Sequence, residues 1–388
     1  MVGTWMALAR RLRGAHLELA AALAAGALAL ACGAPAARPA TTATPAAPTS
    51  AARAAAPAPT SAPAAAAPAP LSPLLPVRVG AIGSSSDSGI YIALDRGYFQ
   101  EQGLDVSLEA IRSATDVLSA LATGTLDVAG GGLNAGLYNA LRRGVDVRIV
   151  ADKGSLLPGF GYEALLVRKD LADGGRYADY ADLRGMKIAV NTIPSIDSVL
   201  LDRALERGGL SFADVDVSEI SFPDQLAAFG NRAIDASLLI EPFVARAVEE
   251  NLATRVVTFD QLAPSQQISV LIYGSQFLQG NPEGPRRFMV AYLKGVRDYN
   301  DAFARGRGKD EVVGILTKNT TIRDAALWEK IAPPGLNPDG SVSKSSIAQA
   351  QDFFAARGQV PEKADVDQLV DNSYVEYALQ QLGPYPPR

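Results

Sequence analysis

The side chains that carry out most nucleophilic and metal chemistry are nearly missing from this sequence. It has one His, His16, and one Cys, Cys32, and residues 33–388 contain neither. Without imidazole or thiol, that stretch cannot build a Ser-His-Asp or Cys-His nucleophile, a disulfide, or a zinc site based on His or Cys. It also lacks the Gly-x-x-x-x-Gly-Lys-Ser/Thr loop that cradles nucleotide phosphates. Carboxylate, Lys or Tyr chemistry remains, or binding without covalent change; no cofactor and no metal are expected. The candidate binding groups sit in short polar loops. Ser84, Ser85 and Ser86 offer hydroxyls and backbone N–H groups just before a helix, a setting that favours polar or anionic oxygen. Gly131 and Gly132 let a ligand approach the backbone, with Asn134 beside them. Asn191, Thr192, Ser195 and Ser198 form a third cluster. Glu241, between an apolar run and Pro242, could accept from a ligand amine or hydroxyl, and Tyr162, with Phe160 and Glu163, could stack on a ring. Asp87 and Asp197 are expected to point outward, toward the helix dipole. Each loop also has a plain structural use as a cap or turn, and the residues alone leave that choice open.

The elements that hold these loops follow from spacing. Residues 76–83 alternate and predict a strand, followed by a helix over about 89–102 that Gly103 stops. Strands over 104–110, 126–129 and 145–151 then alternate with helices over 114–122 and 134–143. The pattern restarts with strands over 186–191, 215–220, 234–240 and 255–259, separated by helices over 195–208, 223–229 and 242–251. Such alternation predicts α/β lobes with largely parallel sheets, whose ligands sit beyond the carboxyl ends of the strands. Leu121–Val128 and Ala228–Ala236 both read helix end, Gly, apolar residue, Asp, small residue, an echo that suggests two similarly built lobes. After Asn281 the chain reads as helical, with Phe288, Tyr292, Val296 and Tyr299 on one face.

Five of the 36 Lys and Arg, but one of the 41 Asp and Glu, precede Pro76, so residues 76–388 carry a net charge of −9. That sign argues against nucleic acid as a partner. Arg10, Arg11 and Arg13 precede an Ala/Leu run from Leu19 to Ala31 that is short for a bilayer span and stops at Cys32. This resembles a bacterial lipoprotein signal peptide, which implies removal of residues 1–31 and lipidation of Cys32. An ordinary secretory signal or a short anchor is the alternative. The rest of residues 32–75 is rich in Ala, Pro, Thr and Ser and is expected to be a disordered linker.

The run Tyr91-Ile92-Ala93-Leu94-Asp95-Arg96-Gly97-Tyr98-Phe99-Gln100-Glu101-Gln102-Gly103-Leu104-Asp105-Val106 resembles the opening of the nitrate/sulfonate/thiamine-precursor branch of ABC-transporter substrate-binding proteins. Leu118–Asp127, Asp182-Leu183-Arg184-Gly185-Met186-Lys187 and Ile234-Asp235-Ala236 with Glu241-Pro242 follow in the order of that family. The resemblance implies a type II periplasmic-binding-protein fold, two α/β lobes joined by a two-crossing hinge with a ligand cleft between them. Lobe 1 would take residues 76–165 and 270–388 and lobe 2 residues 166–269, with crossings near Leu165–Arg168 and Ser269–Tyr273. It further implies a monomeric, extracytoplasmic, lipid-anchored binding protein, not an enzyme, that hands a small molecule to a permease and ATPase. Two alternatives stand beside it: a lipoprotein whose closed state is read by a receptor, and a pyrimidine-precursor enzyme on the same scaffold. The enzyme type depends on His and clustered Cys, which residues 33–388 lack. Because the polar loops hold no Arg or Lys while Glu241 and aromatic residues lie near them, a neutral or amine-bearing heterocycle of pyrimidine or flavin type is favoured over sulfonate or nitrate.

Overall fold

The computed structural model describes residues 68–320 and 323–386. The signal-peptide and lipidation expectations, Cys32 included, fall outside them. Among the described residues, ten strands form two five-stranded sheets. The first contains β1 (Leu75–Ala81), β2 (Leu104–Ala110), β3 (Val128–Gly132), β4 (Arg148–Ser155) and, from later in the chain, β10 (Gln267–Tyr273). The second contains β5 (Glu163–Arg168), β6 (Lys187–Val190), β7 (Asp216–Glu219), β8 (Ala236–Ile240) and β9 (Ala253–Thr258). The strand orders are β2-β1-β3-β10-β4 and β7-β6-β8-β5-β9. In each sheet one strand, β10 or β5, runs antiparallel to both its neighbours, and the other pairings are parallel. The burial of the strands follows their places. Central β5, β8 and β10 are buried apolar runs, whereas edge strand β2 alternates.

The internal echo in the sequence has a physical counterpart. Asp127 donates its N–H to the Arg78 carbonyl at 3.0 Å, and its carboxylate accepts the Arg78 N–H at 2.8 Å. Asp235 repeats both bonds with Lys187, at 2.8 and 3.0 Å. One acidic residue thus ties the first parallel strand to the loop that enters the third in each lobe.

Two differences from the sequence reading concern boundaries. The chain crosses between sheets at 156–162 and 259–266, not at Leu165–Arg168 and Ser269–Tyr273, which lie inside β5 and β10. Those strands are flanked by partners on both sides and cannot serve as flexible joints. The crossings instead bond to each other, Leu156 N–H to the Gln266 carbonyl at 2.9 Å and Ser265 N–H to the Leu156 carbonyl at 2.7 Å. Part of the stretch read as linker packs on the body: Arg287 donates to the Ala69 carbonyl at 2.7 Å, and Leu71 and Leu75 pack against the apolar core.

The helical C-terminal part builds onto the first sheet. The helix Glu283–Arg305 buries Phe288, Tyr292, Val296 and Tyr299. It crosses the helix Ser88–Asp95 at Gly295 and Gly89; a Cβ on Gly295 would lie 2.1 Å from the Gly89 carbonyl oxygen, so only glycine permits this approach. The helix Lys344–Ala356 packs by the first lobe, where Tyr138 donates to the Ile347 carbonyl at 2.8 Å. Just beyond its end Arg357 pairs with Asp202 of the second lobe at 2.7 Å.

Candidate functional site

Three loops follow parallel strands and meet between the sheets. After β1, Ser84 and Asp87 form a reciprocal cap, with the Ser84 N–H donating to the Asp87 carboxylate at 2.9 Å. After β6, the Asn191 N–H donates to the Asp197 carboxylate at 2.9 Å, and Ser195 caps the helix Ile196–Arg207. The two loops solve one problem in the same way: an Asp inside the first helical turn satisfies an N–H that the turn leaves without a partner. Asp87 and Asp197 are therefore buried, contrary to the outward orientation expected for them. After β3, Asn134 caps the helix Ala135–Arg142 by accepting from Leu137 at 3.2 Å and donates to the Gly132 carbonyl.

The lobes are closed on one another here. Ile196 N–H donates to the Leu133 carbonyl at 2.8 Å, Ala135 N–H to the Pro194 carbonyl at 3.2 Å, and Ser85 N–H to the Glu241 carbonyl at 3.0 Å. Asn191 Nδ2 reaches the Arg112 carbonyl at 3.3 Å. These bonds enclose a cavity of about 40 Å³ with apolar walls that include Ile82, Val117, Phe222 and Ile240.

Of the residues chosen from sequence, Ser86, Gly131, Gly132, Tyr162, Asn191, Thr192 and Ser195 line this cavity. Gly131 and Gly132 have room there, since an added Cβ would come no nearer than 3.5 and 3.6 Å to another atom. Ser84, Ser85, Asn134, Ser198 and Glu241 are buried beside it and do not line it. Glu241 is the clearest correction. Its carboxylate accepts from Ala245 N–H at 2.9 Å and Ala332 N–H at 3.1 Å, so local backbone consumes the acceptor expected to face the cleft. Ser85 is likewise spent on the Glu241 carbonyl, which its hydroxyl reaches at 3.0 Å.

The structure adds Lys153, which loop reading missed. Lys153, in β4, is wholly buried behind the cavity, 2.7 Å from Asp87 and 2.8 Å from Ser86 Oγ. Its stem occupies the space in front of Gly130, where a Cβ would lie 2.0 Å away. A lysine inside a strand, distant in sequence from any polar loop, gave no signal of this role. Glu163, the first residue of β5, lines the cavity and is 1% exposed, and neither carboxylate oxygen has a hydrogen-bond partner among the described residues. The hydroxyl of Tyr162 is also buried without one. Burial, reinforced by Asp197, raises the Glu163 pKa well above the usual carboxyl range. Burial likewise pushes Asp197 up to about 6, against the opposing pull of backbone N–H groups, and Glu241 up to about 7. The site thus presents acceptors between apolar walls. Among the described residues it has no cationic side chain on its lining.

Comparison with known proteins agrees with this architecture. The model of the NMT1/THI5-like family matches residues 85–302. A protein of Brucella abortus named as a binding protein is 26% identical over 308 residues, covering 76% of this chain and 90% of its own length. The riboflavin-binding protein RibY of Chloroflexus aurantiacus is 27% identical over 303 residues, 74% of this chain and 81% of that protein. The periplasmic aliphatic sulphonate binding protein SsuA from Escherichia coli superposes with a TM-score of 0.60 at 21% identity, over 76% of this chain and 92% of that one.

Proposed function

From the premise that this chain belongs to the NMT1/THI5-like family, we propose that it is the extracytoplasmic solute-binding component of an ABC importer, capturing a small molecule by lobe closure and performing no covalent chemistry on it. The observation that carries this reading is the cavity at the carboxyl ends of parallel strands from both sheets, sealed by backbone hydrogen bonds that link one lobe to the other. A ligand gripped by both lobes converts occupancy into shape, the form of signal a permease and its ATPase can read. In this reading Cys32 carries the lipid, residues 33–67 tether the body, and Ser86, Gly131, Gly132, Tyr162, Asn191, Thr192 and Ser195 touch the ligand along with Glu163. A neutral or amine-bearing heterocycle of pyrimidine or flavin type is the favoured solute over sulfonate or nitrate. Glu163 and Asp197 line the cavity, while the nearby Lys153 is already paired with Asp87.

The test is thermal melting of protein stripped of ligand by unfolding and refolding, against pyrimidines, flavins, sulfonates and nitrate, with small-angle scattering on each hit. A solute at about 100 times its Kd should stabilise the fold by about 2.7 kcal/mol, and the scattering radius should fall on binding. A well-folded protein that neither melts later nor contracts with any solute would count against the proposal.

A further inference from the structure

We propose that Glu163 reads a two-donor nitrogen edge on the solute, an amidine-type group whose two parallel N–H bonds meet its two carboxylate oxygens. The inference rests on the solute-binding reading and narrows the class of solute. Buried polar atoms are almost always partnered, and one left alone carries its full desolvation cost. The other buried acids around the cleft meet this rule. Asp87 takes the Ser84 N–H and Lys153, Asp197 the Asn191 N–H, Glu241 two backbone N–H groups, and Asp152 the Asn337 N–H and the Gln267 amide. Glu163 alone among them has two oxygens without a partner among the described residues, at 1% exposure on the cavity lining.

The chemistry of the surroundings selects the partner. An oxyanion would lie against Glu163 and Asp197 with no cation on the lining to offset them. A single N–H would satisfy one oxygen and leave the other buried and alone. A planar edge with two donors satisfies both, as in bidentate carboxylate pairing. The apolar walls suit a flat ring carrying that edge, and the Tyr162 hydroxyl is available to an acceptor elsewhere on it. The raised acidity constant of Glu163 fits the same picture, because burial, reinforced by Asp197 and with no cation on the lining, disfavours its charge until a donor-bearing group joins it.

The test is calorimetric titration of the refolded protein with benzamidine, 2-aminobenzimidazole, benzamide and benzenesulfonate, repeated with Glu163→Gln. Benzamidine and 2-aminobenzimidazole, each with two donors on one edge, should bind the wild type, benzamide, with one donor and one acceptor, at least tenfold more weakly, and benzenesulfonate without measurable heat. Glu163→Gln should weaken the two-donor probes at least tenfold, since an amide presents one acceptor and one donor where two acceptors are needed. Discrimination between benzamidine and benzamide by the wild type tests the inference even if the variant fails to fold. Equal binding of those two, unchanged affinity in Glu163→Gln, or silence from both two-donor probes would overturn it. Binding of benzenesulfonate with contraction in scattering would overturn it and leave the solute-binding reading standing. No heat and no contraction with any solute, the flavins and nitrate included, would remove both.

Discussion

Glu163 and Glu241 are both buried carboxyls at the junction of the lobes, and their partners separate their roles. Glu241 is satisfied by Ala245 and Ala332 and holds structure together, whereas Glu163 is not satisfied by the described protein atoms. Both acidity constants are raised, as is that of Asp197, so the folded form binds their protons more tightly than the unfolded chain does. The stability they contribute is complete below their unfolded values near pH 4 and is lost as pH rises through their folded values, near 6 for Asp197 and near 7 for Glu241. For Glu241 the change is on the order of 3 kcal/mol. Burial gives the trend its direction, reinforced by Asp197 beside Glu163 and by Glu219 beside Asp197, and opposed by backbone N–H groups at Asp197 and Glu241 and by Arg255 at Glu241. The ligand-free protein should therefore melt at a lower temperature at pH 8 than at pH 5, and Glu241→Gln should flatten that slope, as calorimetry across the range would show. Ser195→Ala removes a helix cap as well as a cavity hydroxyl. It should cost about 1 kcal/mol of ligand-free stability in addition to any loss of affinity, so its melting temperature will not match that of the wild type.

At the scale of elements, closely approaching helices and repeated tie points position the loops. The helix Ser88–Asp95 continues from the Ser84–Asp87 turn and is held against Glu283–Arg305 through Gly89 and Gly295. Gly295→Ala would drive a methyl into the Gly89 carbonyl, and overpacking of this kind costs about 1–3 kcal/mol. The melting temperature should fall by several degrees, and solute affinity should fall as well because the Ser84 loop shifts with its helix. Asp127→Ala and Asp235→Ala remove equivalent ties in the two lobes, and each should destabilise its own sheet. Hydrogen exchange would report the damage in β1 and β3 for the first and in β6 and β8 for the second. The element pattern was legible from Gly stops, alternating strands and capping Ser and Asn, because these are local preferences. The echo around Asp127 and Asp235 was legible too, though its meaning lies in bonds to Arg78 and Lys187, many residues away along the chain.

For the molecule as a whole, closure depends on which contacts cross the cleft. Arg112 and Asp224 form an ion pair across it at 3.5 Å, but both side chains are well exposed, and such pairs contribute little. The backbone bonds from Ile196 to Leu133 and from Ala135 to Pro194 are part of the cavity wall and form only when the lobes meet. Asp224→Ala should therefore leave solute affinity within about fivefold of wild type in calorimetry, because an exposed pair contributes about 0–1 kcal/mol. The sequence by itself determined the α/β character, the repeated lobe plan, the absence of imidazole and thiol after Cys32, and the loops after β1, β3 and β6 as the places where polar groups gather. Those features rest on composition and on local rules of capping, turning and alternation, which short stretches of chain obey on their own. Only the tertiary structure decided that Lys153 reaches Asp87 from another strand, that Glu241 is consumed by Ala245 and Ala332, and that Glu163 stands on the cavity without a described partner. Whether a buried polar group is satisfied depends on atoms brought from distant parts of the chain, and no local pattern of residues encodes which of them arrive.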